Sequence, residues 1–186
     1  MPTTRINLWS SPRNVSTALM YSFAQRQDAI VVDEPLYGYY LKQSKADHPG
    51  REEIISGMEC DAEAVIENIL LGAYNCPIIF FKQMTHHMTG NIPFDFMGKM
   101  FNLIFIRDPK LILHSYAKVI ENPTLQDIGI TFQVTCLNRA IENNYSFAVL
   151  DSADLLKDPE QVLKKLCAII SIPYDKNMLA WQPGGS

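Results

Sequence analysis

Several features that often identify a function directly are missing from this sequence. Its four cysteines contain no Cys-x-x-Cys pair, so a zinc site or a dithiol redox centre is not indicated. The net charge of −4 at pH 7 provides no broad basic surface for nucleic acid or an anionic membrane. No apolar run is long enough to span a membrane, and Arg5 and Asn7 interrupt the N-terminus where a signal peptide would be continuous. We therefore expect a cytoplasmic protein with reduced thiols and without a metal, a nucleic-acid partner or a membrane partner.

The apolar content, by contrast, is sufficient for one substantial core, since hydrophobic residues make up 47% of the 186-residue chain. Apolar segments of strand length alternate with segments of helical periodicity, which predicts an α/β fold with a parallel sheet and helices on both faces. No repeat divides the chain, so we expect one domain over residues 1–186. The predicted strands are 6–9, 29–32, 77–81, 101–106 and 146–150. The predicted helices are 14–26, 60–71, 110–120, 125–143, 151–156 and 158–170. The polar stretch 42–57 is expected to be the most flexible segment.

Charged or titratable side chains follow each of the first four predicted strands. In an open parallel sheet, ligands bind beyond the carboxyl ends of the strands. Residues 10–16, 33–35, 82–87 and 107–109 lie there, and each of these loops carries such groups. This coincidence predicts a functional site at the carboxyl edge of the sheet.

The first of these loops has the features of an anion site. Ser11, Ser16 and Thr17 supply hydroxyl groups, Arg13 supplies a cation, and the following helix begins with unpaired backbone N–H groups. Such donors together favour phosphate or sulfate. The loop has no glycine, and Arg13 stands where a lysine would be expected, so it departs from the GxxxxGK[ST] pattern of nucleotide triphosphatases. The alternative is a capped helix with an exposed arginine.

The segment Trp9-Ser10-Ser11-Pro12-Arg13-Asn14-Val15-Ser16-Thr17 resembles the phosphosulfate-binding loop of sulfotransferases that use 3′-phosphoadenosine 5′-phosphosulfate (PAPS). In that family a strand leads into a Pro-Lys/Arg-Ser-Gly-Ser/Thr-Ser/Thr loop and then into a helix. Here Asn14-Val15 stands in place of Ser-Gly. The resemblance implies a P-loop NTPase-like sulfotransferase fold. It also implies that the nucleotide is bound by Ser11, Pro12, Arg13, Asn14, Val15, Ser16 and Thr17.

A second segment, Ile106-Arg107-Asp108-Pro109 followed by Ser115, is similar to the family's other signature, in which the arginine and the serine bind the 3′-phosphate. Arginine makes bidentate contacts to phosphate, which agrees with that role. The alternative is a local ion pair between Arg107 and Asp108 at the start of a helix. Residues 150–160 also resemble the family, so the similarity covers most of the chain, and it is closest to the bacterial and carbohydrate-type branch.

Two candidates for a general base follow the second and third strands. Asp33-Glu34-Pro35-Leu36 looks like the Glu-Pro motif of the same branch, in which the glutamate is proposed to remove the acceptor's hydroxyl proton. Glu34 would otherwise be a solvated acid or a partner of Arg13. His86 is the competing base, with His87 beside it, and Lys82 would hold sulfuryl oxygens or an acidic acceptor. The nearby tyrosines either line the acceptor pocket or pack beneath residues 42–57; they are Tyr37, Tyr39 and Tyr40.

The resemblance therefore implies a PAPS-dependent sulfotransferase that acts on a hydroxyl group of a small molecule or carbohydrate and needs no metal. Catalysis would use Arg13 with Glu34 or His86. A nucleotide kinase or hydrolase of P-loop architecture is one alternative, and a degenerate nucleotide-binding module without catalysis is another. Family members continue into a loop that closes over the nucleotide. This sequence ends at Ser186, so either that lid lies outside it or the domain lacks one.

Overall fold

Five parallel strands form the centre of the molecule in this computed structural model, which describes residues 3–44, 48–118, 124–125 and 127–181. Their order across the sheet is β2-β3-β1-β4-β5, and every neighbouring pair is parallel. The strands are β1 (Thr4–Ser10), β2 (Ala29–Asp33), β3 (Ile78–Met84), β4 (Phe101–Ile106) and β5 (Phe147–Asp151). The predicted parallel α/β fold is confirmed, and each strand overlaps its predicted range.

Helices connect the strands and cover the sheet. They are α1 (Ser16–Ala24), α2 (Tyr37–Ser44), α3 (Arg51–Gly57), α4 (Ala62–Ala64), α5 (Pro109–Tyr116), α6 (Ile130–Glu142), α7 (Ser152–Lys157) and α8 (Pro159–Ile170). A π-helical turn over Val65–Leu70 continues α4, and 3₁₀ turns occupy Thr85–His87, Asp95–Lys99 and Lys176–Leu179. No helix in the described part of the chain is both long and apolar enough to cross a membrane.

The sheet has a separate apolar core on each face, because successive residues of a strand point to opposite sides. On one face Trp9 and Phe81 pack with Cys136 of α6. On the other face Phe80 packs with Phe23 of α1, and their rings stack with centroids 4.3 Å apart. Burying one such side chain stabilises the fold by about 1.5–3 kcal/mol, so both helical layers are held firmly on the sheet.

The direction of the connections identifies where a ligand is expected. After β1 the chain runs toward β2 at one edge of the sheet, and after β4 it runs toward β5 at the opposite edge. β1 and β4 are nevertheless direct neighbours. The two loops that follow β1 and β4 therefore diverge and leave a crevice between them. In parallel sheets this topological switch point is the usual binding position.

Several helix boundaries differ from the sequence prediction. Residues 125–143 were predicted as one helix, but α6 begins only at Ile130, because Gly129 adopts a left-handed conformation and Thr124 and Asp127 form a hydrogen-bonded turn before it. The polar stretch 42–57 contains the end of α2 and all of α3, which has Glu52 and Glu53 in its first turn, where the helix dipole favours acids. The predicted helix end at residue 120 lies outside the described residues.

Candidate functional site

The loop after β1 brings Arg13 to the carboxyl edge of the sheet. Ser11 and Pro12 are buried, and Arg13 then takes a left-handed backbone conformation with φ of 57° while its side chain remains exposed. That conformation costs a non-glycine residue roughly 1–2 kcal/mol. The loop therefore holds its cation in a strained position beside the crevice, where residues of other elements fix it.

Three residues predicted from two separate motifs, Arg13 from the first and Arg107 with Ser115 from the second, meet at this point. Arg13 Nε donates a hydrogen bond to Ser115 Oγ of α5 at 3.0 Å. The Arg107 guanidinium, just beyond β4, donates to the backbone carbonyl of Arg13. The Asp108 carboxylate instead accepts from the N–H of Lys110 at 2.8 Å and caps α5. Two guanidinium groups and a hydroxyl thus gather at the switch point, which is a donor set suited to an anion.

The residues between Arg13 and α1, together with Ser11, add further polar groups beside these donors. Val15 donates its N–H to Asn14 Oδ1 at 2.9 Å, and Asn14 Nδ2 donates to the Phe105 carbonyl of β4 at 3.0 Å. Ser11 Oγ is buried without a hydrogen-bond partner among the described residues, so this hydroxyl remains available inside the loop. Ser16 is buried at the first turn of α1, and its neighbour Thr17 is exposed.

A buried lysine of β3 joins the end of β2 to the first turn of α1. Lys82 is only 4% exposed, and its Nζ lies 2.7 Å from Asp33 Oδ1 and 2.9 Å from Glu34 Oε1. The same Nζ donates to Thr17 Oγ1 at 3.4 Å. Burial acts to lower the pKa of Lys82, but its hydrogen bonds to the Asp33 and Glu34 carboxylates outweigh burial and raise the pKa above its usual value. Lys82 is therefore a cation that orients two carboxylates.

Glu34 occupies a constrained position next to this cation. Its φ of 47° is also left-handed, and its N–H donates to the Lys82 carbonyl at 2.8 Å. One carboxylate oxygen contacts Lys82, and the other lies 3.8 Å from His87 Nε2. The carboxylate thus pairs with Lys82, whereas Arg13 contacts a serine. Arg13 and Glu34, two predicted site residues, share the left-handed conformation that often marks functional positions.

Two histidines and two tyrosines pack together behind Glu34. The His87 ring stacks with Tyr40 at 4.7 Å and with Tyr37 at 5.0 Å between centroids, and His86 meets the edge of Tyr40 at 5.3 Å. Burial lowers the pKa of His86 to about 4 and that of His87 well below its usual value, so both rings are neutral at pH 7. Tyr39 belongs instead to the core, and its hydroxyl donates to the Thr89 carbonyl.

Two residues of this arrangement were missed in the sequence. Asp33 shares Lys82 with Glu34, although only Glu34 was singled out as a functional acid. Gln133 of α6 is buried and donates to the carbonyls of Trp9 and Phe105 at 3.0 and 2.8 Å. Gln133 could have been found from the sequence. Its spacing from Cys136 places both residues on one face of α6, so Gln133 is a polar residue on an apolar helix face. Within the described ranges, no group of three or more His, Cys, Asp and Glu side chains is placed to hold a metal ion.

Comparisons with known proteins identify the family to which the sequence is similar. The profile of the family described as "Sulfotransferase domain" matches residues 4–186. Two proteins of Arabidopsis thaliana, named branched-chain-amino-acid aminotransferase-like proteins 1 and 2, are each 37% identical over 179 residues. That match covers 96% of this chain but 32% of each relative, so the chain spans about a third of their length. Their aminotransferase-like name describes proteins much larger than the matched region.

Solved structures show the same fold. The sulfotransferase domain of the Synechococcus PCC 7002 olefin synthase superimposes with a TM-score of 0.66 at 19% identity, covering 96% of this chain and 76% of that one. The mouse sulfotransferase SULT7A1 complexed with PAP gives a TM-score of 0.53 at 13% identity, with coverages of 95% and 61%. At these identities the likeness concerns the arrangement of strands and helices.

Proposed function

Because the chain belongs to the Sulfotransferase domain family, we propose that it is a sulfotransferase that moves a sulfuryl group from PAPS to a hydroxyl acceptor. The observation that carries this proposal is the meeting of Arg13, Ser115 and Arg107 at the switch point between β1 and β4. PAPS carries phosphate groups at two positions, and Arg13 and Arg107 offer one guanidinium group on each of two neighbouring loops.

The residues at the switch point fit such a nucleotide. The loop residues Ser11, Pro12, Arg13, Asn14, Val15, Ser16 and Thr17 would surround the 5′-phosphosulfate, with the unpartnered hydroxyl of Ser11 and the start of α1 as donors. Arg107 and Ser115 would hold the 3′-phosphate, exchanging their present contacts with Arg13 for the ligand. The structural relative from mouse is complexed with PAP, the desulfated nucleotide, which supports the same donor here.

PAPS, when bound, would supply the sulfuryl group, which passes to the acceptor oxygen while 3′,5′-ADP leaves. Arg13 would stabilise the negative charge that develops on the leaving nucleotide. Glu34 takes the acceptor's hydroxyl proton, since its carboxylate is held in place by Lys82 beside the loop. His86 is the competing base; its ring is neutral at pH 7, but burial, which lowers its pKa to about 4, also makes it a weak proton acceptor.

The acceptor is proposed to be an alcohol or phenol on a small molecule or a carbohydrate, as in the bacterial and carbohydrate-type branch. Tyr37 and Tyr40 are half-buried beside Glu34, where they would contact the body of such an acceptor. A cytoplasmic location is supported by the four cysteines, Cys60, Cys76, Cys136 and Cys167, all of which are free thiols.

Calorimetric titration followed by turnover tests this proposal against the two alternatives. Tight binding of 3′,5′-ADP without Mg²⁺ is expected, whereas Mg²⁺-dependent binding of ATP would instead indicate a kinase or hydrolase. Turnover of labelled PAPS against a panel of hydroxyl acceptors then separates an enzyme from a binding module. Binding of 3′,5′-ADP without any turnover would identify a module that lacks catalysis.

Arg13→Ala is the decisive variant. We expect it to lower kcat by roughly a thousandfold, because it removes a preorganised cation from the breaking bond. Lys165→Ala, which removes an exposed cation from α8, is the control and should retain normal turnover. Near-normal activity of the Arg13→Ala protein would refute the assignment.

A further inference from the structure

The backbone carbonyls at the ends of β1 and β4 are bound by side chains from two other segments, α6 and the turn after β3. Gln133 of α6 donates to Trp9 O and Phe105 O at 3.0 and 2.8 Å. Thr85, at the end of β3, donates to Ser10 O at 3.1 Å. Where strands diverge at the switch point, these carbonyls lose part of their ladder and need other donors. Side chains therefore determine the position of the backbone that enters the anion loop.

Asn14 joins the loop itself to this arrangement. Its Nδ2 donates to Phe105 O at 3.0 Å, so that carbonyl accepts hydrogen bonds from both Asn14 and Gln133. Its Oδ1 accepts from Val15 N–H at 2.9 Å. The Asn14 side chain thus links the end of β4 to Val15, the residue directly before α1. A carbonyl oxygen has two lone pairs, so the two donors do not compete for the same position.

We propose that Asn14 and Gln133 are positioning residues, which act through Phe105 O to hold Arg13 in the geometry that sulfuryl transfer requires. The proposal deepens the sulfotransferase assignment and, for its activity measurement, rests on it. It explains why the loop tolerates Asn14-Val15 in place of a flexible Ser-Gly pair. The hydrogen bonds of Asn14 and Gln133 to Phe105 O, here called the amide clamp, make this loop rigid. A loop with glycine relies instead on the close approach of its backbone to the ligand.

The clamp acts on the residue that carries the chemistry. Arg13 directly precedes Asn14 and has a left-handed φ of 57°, which the backbone retains only if its neighbours are fixed. Arg107 holds the Arg13 carbonyl only until it turns to the nucleotide, whereas Asn14, the next residue, is bound to the β4 carbonyl by a contact that the nucleotide does not replace. A small displacement of a positioned catalytic group can cost on the order of a hundredfold in rate. Loss of the clamp should therefore reduce the rate of transfer more than the binding of the nucleotide.

Two variants of Asn14 separate its donor from its acceptor. Asn14→Asp keeps an oxygen that accepts from Val15 N–H, but its second oxygen replaces the donor to Phe105 O and cannot donate. Asn14→Ala removes both contacts. Both are expected to lower kcat about tenfold or more while changing KM for PAPS by less than about threefold. Asn138→Asp, the same substitution at an exposed position on α6, is the matched control and should leave both constants unchanged.

Amide hydrogen exchange tests the clamp without any turnover. In the ligand-free protein, Asn14→Ala should raise the exchange rate of the Val15 amide about tenfold or more, because that N–H loses its acceptor. Exchange within twofold of wild type at residues 13–17 would overturn the proposal, whatever the activity. If the wild-type protein shows no transfer but the exchange result holds, the proposed activity fails and the clamp stands.

A double variant tests the shared role of Phe105 O. Gln133→Met removes the second donor with a side chain of similar length, and unfolding measurements show whether this variant folds. Because both side chains act on one carbonyl, the loss in kcat for Asn14→Ala with Gln133→Met should differ from the product of the single losses. Strictly multiplicative losses would contradict a common clamp, and Asn14→Asp alone still decides the matter if Gln133→Met does not fold.

Discussion

At the scale of single residues, the charges beside the loop that follows β1 depend on Lys82. This buried ammonium contacts Asp33, Glu34 and Thr17 and thereby links the ends of β2 and β3 to α1. Lys82→Met leaves two carboxylates next to each other without their cation. We expect a loss of about 1–3 kcal/mol in the free energy of unfolding and a fall in kcat, because Glu34 loses the contact that orients it.

Chemical denaturation and steady-state kinetics measure the two effects of Lys82→Met. Lys164→Met is the matched control, because Lys164 also pairs with a carboxylate, that of Glu160 at 2.7 Å, but on the exposed surface of α8. Its unfolding midpoint should hardly change, since exposed ion pairs are largely screened by solvent. A Lys82→Met protein as stable and active as this control would contradict the role given to Lys82.

His86 makes the stability of the protein depend on pH. Burial lowers its pKa to about 4, although the nearby Asp127 carboxylate acts to raise it. An unfolded chain binds this proton near pH 6.5, so between about pH 6.5 and 4 the unfolded state holds more protons than the folded state. The free energy of unfolding should therefore decrease as the pH falls through this window, by on the order of 3 kcal/mol from His86 alone.

The contribution of His86 is measured by comparing denaturant unfolding of wild type and His86→Gln at several pH values between 4 and 7. The variant should show a smaller loss of stability toward acid, while the buried His87 still contributes in the same direction. His114→Gln, at an exposed position on α5, is the control. Identical pH profiles for wild type and His86→Gln would show that His86 does not contribute.

At the scale of elements, Gly129 controls how closely α6 approaches the sheet. Its φ is 68°, and a Cβ there would lie 2.5 Å from Thr85 Oγ1 and 2.8 Å from His86 N. Gly129→Ala must therefore push α6 away from β3, and with it Gln133. We expect a destabilisation of about 1–3 kcal/mol from the unfavourable φ and the displaced contacts. Thermal unfolding measures this loss.

Gly57→Ala, at the end of α3, provides the comparison for Gly129→Ala, since a Cβ at Gly57 meets nothing within 4 Å. That substitution should be neutral or stabilise the protein by up to about 1 kcal/mol. If Gly129→Ala were tolerated equally well, the close approach of α6 to the end of β3 would not matter for stability.

Elements with strong local signals were predicted well from the sequence. β4 was predicted with its observed bounds, and α8 agrees to within a residue, because Asp158 and Pro159 are a cap and a first-turn proline. The helix predicted over 60–71 begins close to its predicted start, where Asp61 caps α4 by accepting a hydrogen bond from Ala64 N–H at 2.9 Å. The predicted start of α6 was wrong, since Gly129 is left-handed and lies directly against the Thr85–His87 turn, a contact that its sequence neighbours do not reveal.

At the scale of the whole molecule, binding of the nucleotide should stabilise the fold, because the site joins loops that follow separate strands. With 3′,5′-ADP at 100 times its Kd, the free energy of unfolding should rise by about 2.7 kcal/mol, and Mg²⁺ should not be needed. Differential scanning calorimetry measures the shift. 5′-AMP, which lacks the 3′-phosphate, is the control ligand and should stabilise the fold less at the same concentration. Equal stabilisation by the two nucleotides at that concentration would contradict a role for Arg107 in binding the 3′-phosphate.

The sequence alone determined the fold class and the family resemblance, because strand length, helical periodicity and two anion-binding motifs are local properties of the chain. It also placed Arg13, Glu34 and Arg107 at strand ends, where a parallel sheet brings loops together. Only the tertiary structure decided which side chains meet. Lys82 pairs with Asp33 and Glu34, and Gln133 reaches two strands from α6, because packing of helices on the sheet sets those distances. Such contacts join residues far apart in the chain, and no local pattern records them.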